Sequence, residues 1–209
     1  MIPVLDVIPS RRAPLVTLGL IVVCGGIHLT GTLHGATTDA WLSPGGGRAG
    51  SFSPARVLLG MFRHDAWLPL VANLLFLWLF GENVEDRLGR LRFACLYLGA
   101  GLAAGAVSSI VPGHGSSLGA HAAVSGVLGA YVVLFPHSRI LALVPLPGLF
   151  DLVEVSVVSL AAVWFLLQLV LSRDGLALLT TVAGFVAGAV LVVMAGGPRR
   201  RNRYWVEHA

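Results

Sequence analysis

The residues best placed to do chemistry in this chain are a histidine and two serines spaced four apart. His121 stands between Ser117 and Ser125, so on a helix either hydroxyl shares a face with the imidazole and a Ser–His hydrogen bond is geometrically open. Such a pair is the start of a nucleophile and its base, because a serine hydroxyl attacks poorly until a positioned base takes its proton. A pair alone is not a hydrolase. Acyl transfer also needs donors aimed at the tetrahedral oxyanion and room for an extended substrate. His64 and His114 are further candidates for the same polar site. With His121 they offer three imidazoles to a metal, but no short ligand spacing supports one, so no metal and no other cofactor is expected. The bland reading of His121 is a polar contact between helices, and the sharper one is ligand binding or proton sensing.

The element that must carry this histidine is Leu118 to Phe135, an uncharged run of helix length crowded with small residues: Gly119, Ala120, Ala122, Ala123, Ser125, Gly126, Gly129 and Ala130. Spacings of three and four put several of them on one face. A face of that kind lets a neighbouring backbone come close, which is how one helix is held central among others inside a membrane. Gly184 and Gly188 form a G-x-x-x-G pair that fits the small side of this helix.

The whole chain has the composition of a polytopic membrane protein. It is 56% hydrophobic and 11% charged, with a mean hydropathy of +0.84, and its apolar blocks are too long for a soluble core. The net charge of +4 and pI near 9.8 would suit nucleic acid, but every cation is arginine and lies beside an apolar block. That distribution is a topology signal, so the lipid bilayer is the expected partner and nucleic acid is not. Cys24 and Cys95 both sit inside apolar runs and read as small buried hydrophobes rather than a disulfide.

Six spans are expected. The first is Pro14–Leu33, after Arg11 and Arg12, with no convincing signal-peptide cleavage site. A Gly- and Pro-rich stretch, Thr37 to Arg63, reads as a partly embedded surface loop. The second span, Ala66–Gly81, would reach only about 24 Å and fall short of the hydrocarbon core. GENVEDRLGRLR (81–92) reads as a charged connection. Spans three and four follow from Phe93 to Ser138, a stretch with no Asp, Glu, Lys or Arg that is broken by VPGHGSSLG (111–119). Arg139 and LVPLPG (143–148) precede span five at about Leu152–Leu171, where Asp151 and Glu154 read as interfacial; SRDG (172–175) makes a turn, and Leu176–Ala195 is span six. With both termini inside, ten arginines fall on inner segments and four on outer ones, the distribution the positive-inside rule favours. The domain plan is a cytoplasmic segment 1–13, a membrane domain 14–195 and a basic cytoplasmic tail 196–209, expected to rest against anionic headgroups.

The segment RVLLGMFRHDAWLPLVANLLFLWLFGENVEDRLGRLRF (56–93) resembles the rhomboid intramembrane serine proteases, and GVLGAYVVLFP (126–136), VWFLLQL (163–169) and AGFVAG (183–188) look like that family's fourth, fifth and sixth spans. The resemblance covers roughly residues 14–195 and implies an all-α, six-transmembrane-helix bundle. It also implies positions for chemistry: a Ser in Gly-x-Ser-Gly at the start of span four, an activating His on span six, and a His-x-x-x-Asn pair on span two lining the oxyanion region. Here those positions read His121 within Gly119–Ala122, Thr181 beside Thr180, Pro69, and Asn73, with His64 retained upstream. Only Asn73 of the four keeps the family's residue, so the resemblance implies a catalytically inactive relative that binds or chaperones transmembrane clients between spans two and five. The alternative is an active peptidase using Ser125 or Ser117 with His121 as base. A third class is a non-enzymatic protein handling a metal or small molecule. A bacterial plasma membrane is the expected setting, because the chain is minimal.

Overall fold

The computed structural model describes residues 2–6, 13–34, 52–64, 66–111, 120–146, 149–171 and 175–197. Six apolar helices dominate it. α1 (Leu15–His34) is followed by a short helix α2 (Pro54–Gly60), then α3 (Trp67–Leu88), α4 (Arg90–Ile110), α5 (His121–Leu134), α6 (Val157–Leu171) and α7 (Leu176–Met194). Four of them, α1, α3, α4 and α7, are long and apolar enough to cross a membrane, while α5 and α6 are shorter apolar helices.

The second span differs from its expected extent. α3 runs on through GENVEDRL to Leu88, so its 22 residues reach about 33 Å rather than the shorter length expected. Glu, Asn, Val, Asp and Arg are all compatible with a helix when their polar groups find partners, and here Glu85 is buried against α1. The true break is Gly89, with φ of 83°, a conformation only glycine adopts cheaply. Its N–H closes the helix by donating to the Glu85 carbonyl at 2.8 Å.

In the long outer segment, residues 35–51 lie outside the described residues, and 54–60 fold as α2 with Pro54 at its first position, where a missing N–H costs nothing. Val57 and Met61 are fully buried and press on Gly105 and Gly101 of α4. Small residues on α4 thus admit α2 as a wedge.

Span five is also corrected. Its helix begins at Val157, and the stretch before it is a strand. β2 (Arg139–Leu146) and β3 (Leu149–Ser156) pair antiparallel from Arg139↔Ser156 to Leu146↔Leu149. β1 (Ile2–Asp6) pairs antiparallel with the other edge of β2, with an irregularity between Pro3 and Leu5, giving the order β1-β2-β3. The all-α bundle therefore carries a small sheet at one end. An apolar run such as ILALVPL fits a buried strand or a helix equally well, and only its Pro and β-branched residues tip the balance.

The sheet marks one end of the bundle. β2 follows the C-terminal end of α5, β1 packs against α3, and the start of α1 is tied to Glu85 near the end of α3. Arg87, Arg90, Arg92 and Arg139 lie at this end, while Arg56 and Arg63 lie at the other.

α5 is the centre. Residues 122–131 are buried without interruption, and α5 packs on α3, α4, α6 and α7. As the small-residue pattern predicts, α7 lies almost backbone to backbone with it: a Cβ at Gly184 would strike the Ala122 carbonyl, and one at Gly188 the Gly126 carbonyl. Aromatic rings fill the wider gap to α3, where Phe80 and Tyr131 meet edge to face at 4.8 Å. One cysteine departs from expectation. Cys24 is buried, but Cys95 is exposed, because an apolar run does not distinguish a bundle-facing from a lipid-facing position.

Candidate functional site

The site grows from the first turn of α5. This helix has 14 residues and spans about 21 Å, so His121, its first residue, begins inside the depth of a bilayer rather than at its surface. The imidazole is half-buried. Its Nε2 lies 3.3 Å from Thr180 Oγ1 on α7. The Thr180 hydroxyl has already directed its proton at main-chain carbonyls, Leu176 O at 3.0 Å and Ala177 O at 3.1 Å. The contact joins α5 to α7 whichever of the two groups carries the shared proton.

One turn deeper, Ser125 is fully buried. Its Oγ donates to Ala122 O at 2.7 Å and Thr181 O at 2.8 Å, so it clips α5 to α7 through the α7 main chain. Carbonyl oxygens accept hydrogen bonds but are far too weakly basic to take the hydroxyl proton. The Thr181 hydroxyl in turn donates to Ala177 O at 2.6 Å. The side chain that meets His121 is thus Thr180, one position before Thr181, where the resemblance puts the activating histidine. One residue on a helix is a rotation of about 100°, and a Thr-Thr pair carries no sequence mark to say which member faces inward.

The remaining polar positions lie on α3 and around its start. Pro69 is exposed in the first turn of α3, where the helix N–H groups have no intrahelical partner and a proline is tolerated; it offers no donor. Asn73, one turn further, is buried. His64 precedes the helix, and its carbonyl accepts a hydrogen bond from His28 Nδ1 at 2.9 Å. The His28 ring meets Trp67 edge-on at 4.6 Å, so His64 helps to tie α1 to the start of α3. His114 and Ser117 lie outside the described residues. Among the described residues no three His, Cys, Asp or Glu side chains gather as a metal site.

Three features went unmarked in the sequence reading. Glu85 receives hydrogen bonds from Val16 N at 3.0 Å, Thr17 N at 2.8 Å and Thr17 Oγ1 at 2.8 Å, capping α1 from another helix. The sequence carries no signal for it, because Glu85 lies among Glu82, Asp86 and Arg87 in a stretch that reads as a charged connection. Phe76 of α3 and Trp164 of α6 meet at a tilt with ring centroids 4.0 Å apart, closing a seam between helices that otherwise touch little. Phe165 of α6 meets Phe185 of α7 at 5.2 Å, holding the other side of α6.

Chemically, this arrangement holds helices together. His121 meets a threonine hydroxyl, and the buried serine points into main-chain carbonyls.

Comparison with known proteins places the chain. Rhomboid protein 1, mitochondrial, of Saccharomyces cerevisiae is 37% identical over 103 residues, 46% of this chain and 30% of that protein. Presenilin-associated rhomboid-like protein, mitochondrial, of Mus musculus is 36% identical over 95 residues, 44% of this chain and 25% of its own. RHOMBOID-like protein 5 of Arabidopsis thaliana is 34% identical over 77 residues, 36% of this chain and 25% of its own. The matched segments make up less than a third of these relatives' length. A model of the Rhomboid domain matches residues 52–198, from just before α2 to beyond the end of α7, and on that match the chain belongs to the rhomboid family.

Proposed function

We propose that this protein is a non-hydrolytic member of the rhomboid family that receives transmembrane segments of client proteins between α3 and α6. The observation that carries the reading is the contact of His121, where the resemblance puts the nucleophilic serine, with Thr180, next to Thr181, where it puts the activating histidine. Loss of a nucleophile or its base typically lowers a hydrolase's rate on the order of a millionfold. Pro69, at the matching oxyanion position, supplies no N–H or O–H to compensate. What remains is the bundle and its seam, closed by Phe76 against Trp164.

An active peptidase built on Ser125 finds no support in this geometry, since its hydroxyl bonds carbonyls and lies about 6 Å below His121 along the helix. In the proposed orientation both termini and the sheet face the cytoplasm, the end where Arg87, Arg90, Arg92 and Arg139 gather. Residues 14–195 form the membrane domain in this reading, with 1–13 contributing β1 and 196–209 forming a basic tail. A bacterial plasma membrane draws no support from the two mitochondrial relatives, and the setting put forward is a membrane crossed several times.

The test is reconstitution in liposomes with a panel of single-span substrates and a fluorophosphonate probe. No specific cleavage and no serine labelling is the expected result. Specific cleavage that disappears in Ser125→Ala or Ser117→Ala would overturn the assignment.

A further inference from the structure

Among the described residues, one long strand edge is left without a partner. β3 pairs with β2 on one side and stands last in the order β1-β2-β3. Every second residue of Leu149–Ser156 therefore turns its N–H and C=O away from the sheet. An uncovered edge is a template for another extended chain. The edge at the opposite side of the sheet, β1, packs against α3 instead. Leu152, Val153, Glu154 and Ser156 of β3 are exposed.

The position of this edge matters as much as its exposure. β3 passes into α6 with no residue between Ser156 and Val157, and Trp164, which closes the seam against Phe76, lies about 12 Å further along the axis. A transmembrane helix seated in that seam would leave it at the level of β3.

We infer that the outer edge of β3 takes up, as a fourth strand, the extended basic segment flanking a client's transmembrane helix. This rests on the reading of the α3–α6 seam as the client's place of entry. A peptide backbone laid along the edge satisfies the strand's unpaired groups in register. Charge selects the partner. β3 carries Asp151 and Glu154, and the cytoplasmic flanks of transmembrane helices are enriched in Lys and Arg. Among the described residues, Glu154 is paired with Arg139 at 3.2 Å, both side chains being more than half exposed, so a basic flank can share it. The same acids disfavour a second copy of this chain. Two β3 strands side by side would bring acid towards acid, with no base in either segment.

The experiment uses the full chain in lipid nanodiscs with synthetic peptides as probes. Each has one Leu/Ala transmembrane segment followed by the flank Arg-Val-Thr-Arg-Val-Thr, with or without N-methyl groups on alternate flank residues. Two readouts are taken: photo-crosslinking from p-benzoylphenylalanine introduced at Trp164, and hydrogen exchange of the β3 amides. The expected result is crosslinking by both peptides, slowed β3 exchange with the unmethylated flank only, and affinity about tenfold weaker for the methylated peptide. Glu154→Lys, at an exposed position, should weaken the unmethylated peptide similarly and leave crosslinking intact. Crosslinking with unchanged β3 exchange and equal affinities would overturn the strand-addition inference and leave the seam reading standing. Absence of crosslinking with every peptide would overturn both. Concentration-dependent β3 protection without peptide would assign the edge to self-association and overturn the inference.

Discussion

The carboxylate of Glu85 and the backbone of Thr17 form the tie that fixes the first transmembrane helix to the bundle. Oε2 of Glu85 accepts from Thr17 N at 2.8 Å and from Thr17 Oγ1 at 2.8 Å, while Oε1 accepts from Val16 N at 3.0 Å. The first N–H groups of a helix have no intrahelical partner, and their summed dipoles favour a negative charge. An acid placed there from another helix answers both. α1 needs such a tie because little of it is buried; its exposed Leu15, Val22, Leu29 and Leu33 face outward.

Substituting the acid should therefore loosen α1 without touching the His121 region. Glu85→Ala leaves buried donors unpaired and is expected to cost on the order of 3 kcal/mol, whereas Thr17→Val removes one hydrogen bond to a charge and costs about 1.5 kcal/mol. Thermal unfolding in mild detergent measures both. Equal, negligible shifts would show that α1 is held by packing alone.

The close approach of α5 and α7 makes a second prediction, by contrast between glycines. A Cβ at Gly188 would meet the Gly126 backbone, while one at Gly25 on α1 has nothing within 4 Å. Gly188→Ala should destabilise by about 1–3 kcal/mol through forced separation of the two helices. Gly25→Ala should be neutral or stabilise by up to about 1 kcal/mol, because alanine is the better helix former. Denaturant titration of the two variants in the same micelle decides the sign.

How much of this could be read in advance differs from element to element. The central place of residues 118–135 was legible because small residues at helical spacing have few other uses in an apolar run, and Gly184 and Gly188 meet that face as their spacing implies. The limits of α3 were not, since Glu82, Glu85 and Asp86 look like a connection until Glu85 is seen to end on Thr17. The β2–β3 hairpin was hidden because Ile140–Leu146 is apolar at every position. Thr180 rather than Thr181 facing His121 is a matter of helix rotation, and a repeated residue type conceals it.

That rotation yields a third prediction. If residue 180 is the one that faces residue 121, the double variant His121→Ser, Thr180→His should place a hydroxyl beside an imidazole that can accept its proton. Labelling by a fluorophosphonate probe is expected for this variant and absent for His121→Ser, Thr181→His, whose imidazole points about 100° away. Cleavage of substrates should stay slow in both, because Pro69 contributes no oxyanion donor. Labelling of the Thr181 variant instead would show that α7 is rotated relative to the geometry described here.

The seam between α3 and α6 gives the last prediction. Phe76 and Trp164 lie with ring centroids 4.0 Å apart, and α6 is otherwise anchored through Phe165 on Phe185 and through the sheet that precedes it. An aromatic pair of this kind contributes about 0.5–1.5 kcal/mol beyond its buried area, so Phe76→Ala should let α6 swing outward while the bundle stays folded. For a client-receiving protein this raises the rate of transmembrane-peptide capture several-fold, read by crosslinking from a photoreactive residue in the peptide. Phe165→Ala on the opposite side of α6 is the control: it weakens packing on α7 without opening the seam and should not accelerate capture. Unchanged capture in Phe76→Ala, with its thermal stability lowered, would mean that the ring pair only supports the fold and that clients do not enter there.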